Sequence, residues 1–158
     1  MFDNFSKESK IWIFQSNRNI NDTEITEIYD AWSIFAKNWN AHGFELYSKM
    51  NIAYNNFIII CLDETKSKIS GCAIDKLTHF IQSLEKKINL NLLDRTTVSF
   101  KKDNLIEKST LKNLKDDYAS GKINDETLVF NNLVKSLNEF ESNWIVPLKN
   151  SWHTSFLN

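Results

Sequence analysis

The chain has 158 residues, of which 42% are hydrophobic and 25% charged, and its formal net charge is −1. This length predicts one domain with a core of its own. The small net charge gives no general electrostatic reason to expect nucleic acid or an anionic membrane as a partner. With only three glycines and one proline, the chain does not have the composition of a linker or a disordered segment.

The N-terminus lacks a basic stretch followed by an apolar one, and no apolar run approaches the roughly 20 residues that a membrane span requires. Two cysteines, Cys61 and Cys72, are too few for a disulfide scaffold. We therefore expect a cytoplasmic protein. We expect no metal or other cofactor, because the histidines and cysteines show no paired ligand spacing. The oligomeric state has no signature in the sequence.

Residues 10–16 combine β-branched and aromatic residues on both faces, a pattern that predicts a central strand covered on both sides. Asn21 is a candidate helix N-cap, with Glu24 in the first turn, where the helix dipole favours it. Apolar residues then recur at spacings of three and four as far as Trp39. Gly43 is predicted to close this helix with a left-handed cap.

Residues 45–54 and 57–62 predict two strands of a hairpin, and a second helix follows Gly71. With a strand at 96–101, the order of elements is that of a ferredoxin-like βαββαβ core. The sequence therefore predicts an α+β protein, with this core in residues 1–103. Because its strands are apolar on both faces, we expect residues 104–158 to form an α/β extension that covers the second face of the sheet.

The extension itself contains several shorter patterns. A strand is predicted at residues 105–106, and a helix from Ser109 or Thr110 to Gly121. Another strand is predicted at residues 127–134. Residues 144–147 include the only proline, which favours an edge strand, and a short turn or helix follows Ser151.

Cys72 is the first candidate for chemistry, because a helix N-terminus lowers the pKa of a thiol and favours the thiolate. A catalytic thiol also needs a base, for which His42 is the candidate, and Asp75 is the third candidate for this catalytic group. Ser70, the small residue at the same helix entry, is a candidate binding residue. The alternative is a plain helix entry in which Asp75 returns a capping bond to the backbone.

Three other residues are candidates for binding. Asp63, followed by Glu64 at the end of a predicted strand, has the chemistry of a metal ligand or an acid–base group; the alternative is a solvated strand terminus. Trp144 and Trp152 are candidates for a peptide-binding surface. The alternative for these two aromatics is that they cover the second face of the sheet.

Five stretches together resemble a family of small proteins from Bacteroidota: IWIFQ at 11–15, WNAHG at 39–43, SGCAID at 70–75, LVFNNLV at 128–134 and PLKNSW at 147–152. Members of that family often carry the label "ABC transporter ATPase", but the resemblance brings no established activity or catalytic residue. A P-loop needs two glycines five residues apart, followed by Lys and Ser or Thr. The three glycines, Gly43, Gly71 and Gly121, each stand alone, so we reject an ABC-type ATPase.

Residues 111–144 carry a second resemblance. A predicted helix, then SGKI at 120–123, TLV at 127–129 and the later Trp144 are similar to the small GYF-type peptide-binding modules. The aromatic-rich core signature of those modules is missing here. What this resemblance implies is peptide binding.

The sequence contains no complete catalytic constellation, so the main functional hypothesis is a non-catalytic adaptor or protein-binding domain. Its partner would be a protein or peptide bound near the C-terminal aromatics. One alternative is a thiol-dependent enzyme or redox sensor centred on Cys72. Another, which follows from fold analogy alone, is a domain that binds a small ligand.

Overall fold

A computed structural model describes all residues from Met1 to Asn158. They form two compact units, the first made of Met1–Leu93 with Lys135–Asn138 and the second of Asp94–Val134 with Glu139–Asn158. Helices and antiparallel sheets make up both, so the α+β class is confirmed. That residues 1–158 act as one domain, divided at residue 103, stays a prediction.

The first unit contains a three-stranded antiparallel sheet and two long helices. Its elements are β1 Lys10–Gln15, α1 Asp22–Asn38, β2 Asn40–Ala41, β3 Phe44–Glu45, β4 Tyr47–Ala53, β5 Phe57–Asp63 and α2 Gly71–Ile88. The strand order is β1-β5-β4, and β2 pairs with β3 in a separate ribbon. The predicted strands and helices of this region are confirmed, but β5, not β1, is the central strand.

Local signals set the helix boundaries. The Asn21 side chain accepts a hydrogen bond from the Glu24 N–H, and the Glu24 carboxylate accepts one from the Asn21 N–H, which completes a capping box. The predicted end of α1 was wrong. The helix stops at Asn38, and Gly43, with a φ of 81°, lies with His42 in the turn between β2 and β3.

The core of the first unit lies between the sheet and its two helices. Phe14, Met50, Ile58 and Ile60 point to the helices, where they pack against residues such as Trp32, Trp39, Leu77 and Ile81. On the opposite side of the sheet, the Phe5 ring stacks on Tyr47 at 4.7 Å. N-terminal residues thus cover part of the second face. The predicted cover by residues 104–158 stays a prediction.

The second unit contains a four-stranded antiparallel sheet in the order β7-β6-β8-β9. The elements after α2 are β6 Thr97–Lys102, β7 Leu105–Thr110, α3 Leu114–Ala119, β8 Leu128–Phe130, α4 Leu137–Asn143 and β9 Ile145–Pro147. Two short 3₁₀ helices, Leu148–Asn150 and Trp152–Phe156, end the chain. The edge position of β9 is confirmed.

These strands correct two predictions. The order β1-β5-β4 matches three strands of a ferredoxin-like sheet, but β6, the predicted fourth strand, pairs with β7 and β8 instead. The four-stranded ferredoxin-like sheet is therefore not formed. The predicted start of a helix at Ser109 or Thr110 was also wrong, because both residues end β7, where Ser109 pairs with Val98 and Thr110 with Thr97.

The second unit has its own apolar core, made of Val98, Phe100, Leu114, Ile123, Val129 and Leu148. Close by in sequence, the Trp144 ring stacks on Phe140 at 4.7 Å and meets Phe130 edge-on at 5.2 Å. None of the helices is both long and apolar enough to cross a membrane.

Candidate functional site

A groove of about 790 Å³ runs beside β9 in the second unit. Its walls come from the segment after β8, from the end of α4, from β9 and from the 3₁₀ helices. The lining residues are Asn131, Leu133, Val134, Glu139, Ser142, Asn143, Ile145, Val146, Pro147, Asn150 and Trp152. All three residues of a sheet edge therefore face one concave surface.

The hydrogen bonds of β9 show which backbone groups point away from the sheet. The Asn131 N–H donates to the Trp144 carbonyl at 2.6 Å, and the Leu148 N–H donates to the Thr127 carbonyl at 2.8 Å. In an antiparallel pair such bonds involve alternate residues. Ile145 and Pro147 therefore direct their backbone groups outward. The outer edge offers the N–H and the carbonyl of Ile145. Proline has no N–H, and Pro147 is the N-cap of the 3₁₀ helix Leu148–Asn150, so its carbonyl accepts the first bond of that helix.

Polar side chains without a protein partner flank this edge. The structure gives the side-chain amides of Asn143 and Asn150 no hydrogen bond, although both line the groove. The Trp152 indole Nε1 is buried and also lacks an acceptor, a situation that typically costs about 1–3 kcal/mol. Leu133, an apolar member of the same wall, is 52% exposed. The groove thus combines two exposed amides and one buried indole N–H that lacks an acceptor with an apolar wall.

Trp152 is held by a small buried cluster. Its ring stacks on His153 with centroids 3.9 Å apart, and the His153 Nδ1 lies 2.6 Å from the Ser151 Oγ. Ser151 and His153 are both buried. Burial lowers the pKa of His153 from 6.5 to about 4, so its ring is neutral at pH 7. A neutral ring next to a buried hydroxyl supports the base of the groove through packing and one hydrogen bond.

Trp144, the other aromatic candidate, lies in the interior. Its side chain is 5% exposed, and its indole N–H donates to the Asn132 Oδ1 at 3.0 Å. With its hydrogen bond made and its ring stacked, Trp144 packs the protein and offers no contact surface. The structure therefore separates the two tryptophans that the sequence treats alike.

The residues of the thiol hypothesis occupy the entrance of α2 without forming a catalytic group. The Ser70 hydroxyl accepts a hydrogen bond from the Ala73 N–H at 3.1 Å and caps the helix. The predicted capping bond from Asp75 is absent, because Ser70 is the N-cap and the residue at N3, from which an acid could return the bond, is Ala73. Cys72 is exposed, and the structure gives its thiol no hydrogen bond to His42 or to another base.

The acidic pair after β5 shapes a loop. The Asp63 carboxylate accepts a hydrogen bond from the Thr65 N–H at 2.8 Å, and this bond lowers the pKa of Asp63. The Glu64 carboxylate accepts from the Ile69 N–H at 2.7 Å and lies 3.7 Å from the Lys10 Nζ. Both carboxylates therefore stabilise the connection to α2. No three His, Cys, Asp or Glu side chains are grouped in a way that holds a metal ion.

A second concave surface, of about 450 Å³, lies between α1 and α2 of the first unit. The Phe35 and Phe80 rings stack there at 4.5 Å, flanked by Asn38, Lys76, His79 and Ser83. These rings continue an aromatic cluster through Trp32 and Trp39. The surface is mainly a core cluster that reaches the protein exterior.

Sequence reasoning found Trp152 but missed Asn143, Asn150 and Ile145. Asparagine in a polar segment is ordinary, and only the structure shows that two of these amides lack partners beside a strand edge. Pro147 was the one available signal, because proline marks an edge position.

Comparison with known proteins adds no relative, since no protein family model, no curated protein and no solved structure matches the chain. The resemblances to a Bacteroidota family and to GYF-type modules therefore stay predictions.

Proposed function

We propose that this chain is a non-catalytic cytoplasmic protein-binding domain, and that the groove beside β9 is its binding surface. The observation that carries the proposal is the pair of unpartnered amides, Asn143 and Asn150, in one groove with a strand edge. Both amides are exposed, so a partner can exchange their hydrogen bonds to water for bonds of its own, at a net gain of about 0.5–1.5 kcal/mol each.

The composition of the groove supports a protein or peptide partner. Among its eleven lining residues only Glu139 is charged, and one is tryptophan. The cores of protein interfaces are depleted in charged residues and enriched in aromatic ones. The neighbouring Leu133, half exposed, adds the apolar contact that such interfaces use as an anchor.

A thiol-dependent activity has less support. Such chemistry needs a base within hydrogen-bonding distance of the sulfur, and the Cys72 thiol has no such contact. A buried network that orients a base is also missing around His42, which is exposed in a hairpin turn. The groove of the second unit is therefore the better founded site.

The proposal is tested by selecting binders to the folded full-length protein from a phage-displayed library of random 12-residue peptides. Selected peptides should lose at least tenfold in affinity for Leu133→Asp, because a carboxylate then replaces an apolar wall of the groove. Leu105→Asp is the matched control. Leu105 lies on the opposite edge strand of the same sheet and is 69% exposed, so this variant should bind like the parent.

Two outcomes contradict the proposal. The first is that no peptide is enriched over a library panned against an unrelated protein. The second is that Leu133→Asp binds the selected peptides as tightly as Leu105→Asp does. Circular dichroism of both variants checks that each is folded.

A further inference from the structure

We draw no further inference here: the strongest candidate, the apolar surface between α1 and α2 on which the Phe35 and Phe80 rings stack at 4.5 Å, carries none because nothing in the structure shows what covers it.

Discussion

His153 should make the protein sensitive to mild acid. It is 2% exposed, and burial lowers its pKa from 6.5 to about 4. Below pH 6.5 the His153 ring is therefore protonated in the unfolded chain, whereas in the folded protein it stays neutral until the pH approaches 4. The free energy of unfolding should have its full value above pH 6.5 and should decrease as the pH falls towards 4.

The size of the effect follows from the two pKa values. At about 1.4 kcal/mol for each pH unit between them, the loss should reach about 2 kcal/mol at pH 5 and roughly 3 kcal/mol below pH 4. Carboxylates have ordinary pKa values near 4, so they are mostly still ionised at pH 5. The interval from pH 7.5 to 5 therefore isolates the histidine. A loss of this size is measurable against the usual 5–15 kcal/mol of a folded protein.

The measurement is urea unfolding at 25 °C, followed by tryptophan fluorescence, at pH 7.5 and pH 5. His153→Asn places an amide near the Nδ1 position, where it can still contact the Ser151 hydroxyl, and it does not titrate. It should lose at least 1.5 kcal/mol less than the parent over this interval. His79→Asn, at an exposed position, is the control and should keep the loss seen in the parent. Equal losses in the parent and in His153→Asn, within about 0.5 kcal/mol, would refute the reasoning.

Three further measurements test the fold. Asn21→Ala removes the capping box of α1 and should cost about 1 kcal/mol in the free energy of urea unfolding; an unchanged value would show that the cap contributes nothing. Ile59→Ala empties a fully buried position of β5 and should cost about 2–5 kcal/mol, whereas Ile34→Ala, at a 67% exposed position, should stay within about 0.5 kcal/mol. A thiol reagent at pH 8 should modify only Cys72 in the folded protein, because Cys61 is fully buried and burial raises its pKa to about 12. In 6 M guanidinium the reagent should modify both thiols. If two thiols react quickly in the folded protein, the buried position of Cys61 is contradicted.

The elements of the first unit were predictable because their signals are local. Asn21 and Glu24 lie three residues apart and define the start of α1 by themselves. The continuous apolar run of β5 predicts a strand buried on both faces, and the structure places it at the centre of its sheet. The helix boundary that failed, at Gly43, involved a residue with positive φ that serves a hairpin turn equally well.

Strand pairing was not predictable in the same way. The pattern at residues 96–101 identifies a strand but not its partner, and the alternation of side chains in β6 fits either sheet. The partner β7 follows directly through a tight turn in which Asp103 has positive φ. The sequence predicts only residues 105–106 of β7, because residues 107–110 are polar and a helix was predicted from Ser109 or Thr110. Local hairpin pairing, with six residue pairs between β6 and β7, is formed in place of the distant pairing with β1.

The candidate site was predictable only in its general location. Trp144 and Trp152 are the same residue type near the same end of the chain, and only burial distinguishes a packed ring from one that lines a groove. Asn143 and Asn150 carry no sequence signal at all. What makes these two exposed residues candidates is their place in one groove beside β9, which is a property of the folded arrangement.

The strands at the edges of the two sheets are protected in different ways. Exposed strand edges promote aggregation, so proteins usually protect them. At the edge of β1, the Ile11 N–H donates to the Lys135 carbonyl at 2.9 Å. At the edge of β4, the Ile52 N–H donates to the Tyr29 hydroxyl at 3.1 Å. The chain thus supplies a group of its own to each of these edges.

At β9 the protection has a different form. Pro147 removes one donor, and the strand is only three residues long, which limits uncontrolled pairing. The Ile145 N–H is then the one donor that β9 turns away from β8. Because this three-residue edge offers so few backbone groups for pairing, a partner bound in the groove as proposed would contact mainly its side chains.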